Sequence, residues 1–159
     1  MTTIRCTRAL ASKLHIKLPD QDPSPPDSTS WYANVFRFDR KQYILATNES
    51  TLVSITFPAR GMTSPDVFAD VLRSNIVDYF RIRNWSAAIT TLGVSADVRF
   101  LKARDRRILG SMTDLMFQAR FALEQNPGDI DIANRFLNRN PLMLGEPGAP
   151  EDRIQRYLQ

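Results

Sequence analysis

The sequence holds one cysteine, Cys6, and one histidine, His15. A single cysteine excludes an internal disulfide, and one Cys with one His cannot build a cysteine-rich zinc site. Long apolar runs are missing too. The longest stretch without a charged residue, 84–96, is too short and too polar to span a membrane. The opening residues MTTIRCTRAL lack the apolar segment and small-residue cleavage site of a secretory signal. The expectation is therefore a cytoplasmic protein with no membrane contact, no metal and no cofactor.

Acidic residues are in modest deficit, 17 against 21 Lys and Arg, for a net charge of +4. The imbalance is local: residues 60–107 carry nine basic and five acidic groups, whereas 108–159 carry five and seven. Such a bias permits an acidic protein or a nucleic acid as partner without demanding either. With 159 residues and 43% hydrophobic content, the chain is expected to form a single domain over 1–159 with a sizeable core.

What is present reads as α+β. TIRCT is rich in β-formers, and Leu10, Ala11 and Leu14 then fall on one helical stripe. Residues 18–30 contain four prolines and nothing large and apolar beyond Leu18, so an exposed proline-rich loop is expected. Three strand-like runs follow, WYANVFRFD, QYILATN and TLVSITFPA, separated by the polar breaks Asp39-Arg40-Lys41 and Asn48-Glu49-Ser50. Short connections between them predict an antiparallel meander. Both faces of the first two runs are apolar, so helices, a loop or a second subunit must cover each side. A homo-oligomer would be one such arrangement.

Next comes a strong helix pattern. Ser64 can cap, Pro65 fits the first helical position, and Phe68, Leu72, Ile76 and Phe80 form a four-residue stripe. ADVRFLKA predicts a further strand. Two more helices are expected, one entered at Gly110-Ser111 and one capped by Asp129, with a last short one in EDRIQRYLQ. The whole predicts an antiparallel sheet, a three-strand meander plus one or two further strands, packed with about four to five helices.

The stretches IRCTRAL, WYANVFRFDRKQYILATNESTL and RRILGSMTDL, in this order, resemble an uncharacterised bacterial single-domain family of unknown function. That family usually carries Asn where this chain has Thr113, and a simpler basic pair in place of Arg104-Asp105-Arg106-Arg107. The resemblance implies one compact cytoplasmic domain in which these stretches lie close together. It brings no reaction, cofactor or catalytic residue.

Candidate site residues centre on RDRRILGSMTDL. Ser111 with Asp114 three residues on has the form of a capping box, stabilising by about 1 kcal/mol. Capping explains Gly-Ser-Met-Thr-Asp without any ligand. It does not explain Arg104, Arg106 and Arg107, which with a helix start can hold a phosphate or carboxylate, although Asp114 competes for that position. Asn34 interrupts an aromatic strand face and needs partners there. It is expected to meet Asp114 across the sheet–helix junction, within a hydrogen-bond network. Asn48 is expected at its position for turn reasons alone. Cys6 and His15 are expected too far apart to act as a catalytic pair.

The leading functional expectation is a non-enzymatic interaction or regulatory module. Its surface would comprise Arg104, Arg106, Arg107, Ser111, Asp114 and Asn34, and its partner an acidic protein or nucleic acid. A second is an enzyme on a small anionic substrate, with Arg106 or Arg107 binding the anion and Asp114 as acid or base. A third is an accessory protein of a defence or toxin–antitoxin pair.

Overall fold

Five runs rich in β-branched and aromatic residues pair into one sheet. In the computed structural model, which describes residues 1–20, 22 and 30–159, the strands are β1 (Thr2–Cys6), β2 (Trp31–Phe38), β3 (Lys41–Asn48), β4 (Ser54–Pro58) and β5 (Val98–Lys102). Their order is β4-β3-β2-β1-β5. The expected meander is present, β2–β3–β4, with Val35 opposite Ile44 and Ala46 opposite Ile55. The sheet as a whole corrects the expectation, because it is mixed: β1 runs parallel to both β2 and β5. The cause lies in the connections. Helix α1 (Arg8–Lys13) precedes β2, and α2 (Pro65–Ile82) with α3 (Ile89–Leu92) precedes β5. A helical crossover carries the chain from the end where one strand stops back to the end where it began, so the next strand runs parallel.

Both faces are covered by the chain's own helices. Trp31, Ile44, Ile55 and Phe57 pack in one buried cluster with Phe68, Leu72, Ile76 and Phe80 of α2. At about 1.5–3 kcal/mol for each fully buried large side chain, this stripe is the main reason α2 stays on the sheet. Its entry is as expected: the Ser64 hydroxyl accepts from the Val67 N–H at 3.3 Å, followed by Pro65. On the opposite face Tyr32, Phe36, Tyr43 and Leu45 pack against α4 (Arg106–Gln125) and α5 (Ile130–Arg139). The chain ends in α6 (Pro150–Arg153) and a 3-10 turn, making six α-helices among the described residues against the four to five expected.

The edge strand β4 is closed by α5. Asn134 and Asn138, four residues apart on one helix face, each hydrogen-bond the N–H and C=O of one β4 residue, Thr56 and Ser54. Beneath the C-terminal loop, the buried Arg153 donates through Nη2 to the Leu142 carbonyl at 3.1 Å and the Gly148 carbonyl at 3.3 Å. The expected proline-rich loop over 18–30 lies largely outside the described residues; of its ends, Leu18 packs against the core and Ser30 is buried.

Candidate functional site

RDRRILGSMTDL is helical from Arg106 onward. The N-cap is Asp105, whose carboxylate accepts from the Arg107 N–H at 2.9 Å. This corrects the expected start at Ser111: Gly110, Ser111 and Asp114 lie inside the helix. The apolar stripe of α4 begins at Ile108, one turn earlier than Gly110 suggests, and continues through Met112, Leu115 and Ala119. A glycine inside a helix costs about 1 kcal/mol. Burying Ile108 contributes about 1.5–3 kcal/mol, so the helix runs through the glycine. Burial alone would raise the Asp105 carboxyl, but hydrogen bonds from the Arg107 side chain and backbone hold it below the usual range.

The arginines around the start of this helix diverge. Arg104 donates to the Asp20 carbonyl, and Lys102 pairs with the Asp20 carboxylate at 2.5 Å. Arg107 turns back to Asp105, Nη2 to Oδ2 at 3.3 Å, and borders a hollow of about 280 Å³ with Glu49 and Arg153. Arg106 is exposed. Ser111 and Asp114 share a different hollow, of about 300 Å³, whose lining includes Phe117 and Met143 but no basic side chain. An anionic substrate beside Asp114 would meet no counter-charge.

Asn34 serves the network rather than this hollow. Its Oδ1 accepts from the Thr7 hydroxyl at 2.6 Å and the Val35 N–H at 2.8 Å, and its Nδ2 contacts the Met116 sulfur at 3.7 Å. It therefore links β2 to the start of α1 and to α4, through Met116 and not Asp114. Asn48 holds the β3–β4 turn: its Oδ1 accepts from the Thr51 N–H at 2.9 Å and the Ser50 N–H at 3.1 Å. Cys6 is buried on β1, and burial pushes its thiol up to about 12. His15 is exposed beyond the end of α1. Among the described residues no group of three or more His, Cys, Asp or Glu is placed to hold a metal ion.

Another set of cations converges. A cleft of about 690 Å³ at one end of the sheet is lined by Lys13, Arg37, Arg40, Lys41 and Arg60, and by no carboxylate. The topology builds it. The β2–β3 hairpin pairs Arg37 with Gln42 and Phe38 with Lys41, leaving Asp39-Arg40 as a two-residue turn. Both turn residues have positive φ, 48° and 65°, the geometry of a type I′ turn. Arg60 follows β4, which runs antiparallel beside β3, so it arrives at the same end. Lys13 of α1 reaches across to the Gln42 side-chain oxygen at 2.9 Å. The Arg37 carbonyl is pinned by Nε of Arg120 at 3.0 Å. In the sequence, 39–41 reads only as a strand break. The available signal was Arg37, Arg40 and Lys41 around a two-residue turn, with Arg60 just past the neighbouring strand.

Fold and site together define an α+β protein with a cation-lined cleft at the hairpin end of a mixed five-stranded sheet. The chain belongs to the family described as a domain of unknown function, DUF6933, which it matches over residues 3–155. No curated protein matches it. Among the described residues, no helix is long and apolar enough to cross a membrane.

Proposed function

We propose that the chain is a non-enzymatic cytoplasmic binding module that takes an acidic partner at the cleft formed by Lys13, Arg37, Arg40, Lys41 and Arg60. The observation that carries this reading is the lining itself: five cations without a carboxylate. The fold gains little from holding them there. Lys13 meets only a neutral amide, and among the described residues the other four side chains have no ion-pair or hydrogen-bond partner. Like charges gathered in one concavity repel, and the field they sum to attracts anions. Arg40 adds a second cost. It holds φ at 65°, a conformation that costs a side-chain-bearing residue about 1–2 kcal/mol and a glycine nothing comparable.

Charge reversal tests the reading. Fluorescence anisotropy of a labelled glutamate-rich peptide and of a labelled oligonucleotide is measured at low salt. The double variant Arg40→Glu/Arg60→Glu is expected to weaken binding by roughly a hundredfold or more. Arg106→Glu, on the exposed side of α4, is expected to leave it nearly unchanged. Absence of binding to either probe, or equal loss with Arg106→Glu, refutes the assignment to this cleft.

A further inference from the structure

We infer that the occupant of the basic cleft is the phosphodiester backbone of a nucleic acid, which continues across α1 into a second basic hollow. This rests on the binding-module reading above and narrows it to one partner class. The second hollow, of about 490 Å³, is bordered by Arg8, Lys17 and Lys102. Lys102 is committed to Asp20, whereas Arg8 and Lys17 are exposed and have no acidic partner among the described residues. Helix α1 lines both depressions, giving Lys13 to the first and Arg8 and Ser12 to the second. From Arg8 in the second to Lys13 in the first, the helix rises about 7.5 Å. One phosphate or one carboxylate cannot bridge that distance, so a ligand that uses both must be extended and repeat its charge.

Two features favour phosphate over an acidic protein. Arg8, Arg37, Arg40 and Arg60 make up most of the seven uncommitted cations, and the guanidinium fork matches phosphate oxygens bidentately. Protein interfaces also need a desolvated apolar centre with aromatic anchors. The first cleft offers no such anchor: Pro58 and Ile130 line it, but its one aromatic side chain, Tyr43, is buried. The exposed Phe117 and Met143 border the Asp114 hollow instead. Phosphate contacts carry no sequence information, so binding through them is expected to be independent of sequence.

The test follows binding of a labelled oligothymidylate, a mixed-sequence duplex of equal length and a glutamate-rich peptide as salt is raised. Seven phosphate contacts give a slope of log K against log salt of about −5 for a single strand and about −6 for a duplex. Arg37→Ala/Arg60→Ala empties two positions in the first cleft, and Arg8→Ala/Lys17→Ala two in the second. Each pair is expected to flatten the slope by about 1.4 to 1.8. All four positions are outside the buried core, and a thermal melt confirms folding of each variant. Binding of the peptide with neither oligonucleotide overturns the nucleic-acid assignment but leaves the binding module standing. An unchanged slope in the Arg8/Lys17 pair overturns the continuous track. If no probe binds, both readings fall. Which oligonucleotide binds more tightly separates single-stranded from duplex backbone as the source.

Discussion

Replacing Asn138 tests how the sheet is closed at β4. The side chain is fully buried and saturated. Its Oδ1 accepts from the Ser54 N–H at 2.8 Å, and the two hydrogens of its Nδ2 are shared among the Ser54 carbonyl at 2.7 Å, the Asn134 carbonyl at 2.9 Å and the Tyr79 hydroxyl at 3.1 Å. Asn134 repeats the pattern on Thr56, at 2.7 and 3.2 Å. The match is geometric: four helical residues rise about 6 Å and two strand residues about 6.7 Å, so i and i+4 on the helix meet alternate residues of the strand. Together the two amides act as a short substitute strand. Asn138→Leu keeps apolar volume but orphans two buried backbone groups of Ser54. At about 1–3 kcal/mol each, the expected loss is about 2–6 kcal/mol. For a domain of this size that lowers Tm by roughly 4–24 °C. Urea unfolding followed by the fluorescence of the buried Trp31 and Trp85 measures it, with the slope in urea unchanged. Asn138→Asp retains the acceptor but sets a carboxylate against two carbonyls, so it should cost at least as much. A leucine variant within about 1 kcal/mol of the parent would refute this account, since only volume would then matter.

Three further outcomes follow from the structure. Asp105→Ala should destabilise by about 1 kcal/mol through loss of the α4 cap, while Ser111→Ala changes stability by less than about 0.5 kcal/mol; urea midpoints that rank them the other way would restore the helix start to Ser111. Gly110 is helical, and an added Cβ meets nothing within 4 Å, so Gly110→Ala should stabilise by about 0.5–1 kcal/mol, seen as a raised midpoint. For Cys6, the folded thiol is pushed up to about 12, so between the ordinary thiol value and that pH the unfolded chain holds fewer protons than the folded one. Stability should therefore fall as pH rises through this window, by up to about 1.4 kcal/mol per pH unit from this group. Cys6→Ala should remove that component, and a slope identical in the variant would show that the thiol does not contribute.

Much of the fold was legible because local signals agreed. In β2 through β4, runs apolar on both faces and the polar breaks at Asp39-Arg40 and Glu49-Ser50 point to the same three strands. In α2 the Ser64 cap, Pro65 and the Phe68–Phe80 stripe coincide. The α4 start was not legible because two capping signals compete within seven residues. What decides between them is the burial of Ile108, a tertiary fact. The direction of β1 was hidden for a similar reason. All five of its residues are buried, so the strand itself carries no mark of which neighbours flank it.

The two basic groups of this chain differ in how topology treats closeness in sequence. Consecutive residues on a helix point about 100° apart, so Arg106 and Arg107 at the start of α4 cannot share a target, and the capping Asp105 already takes one of them. Placing cations side by side in a helical sequence disperses them in space. At the end of an antiparallel sheet the opposite holds. A hairpin returns the chain beside itself, and the next strand brings a third segment to the same rim, so Arg37, Lys41 and Arg60 meet although they are scattered along the chain. Lys13 joins them only because the α1 crossover returns along that face. Cations at hairpin tips and strand ends are therefore better evidence of a charged site than an arginine run leading into a helix, once the strand pairing is known.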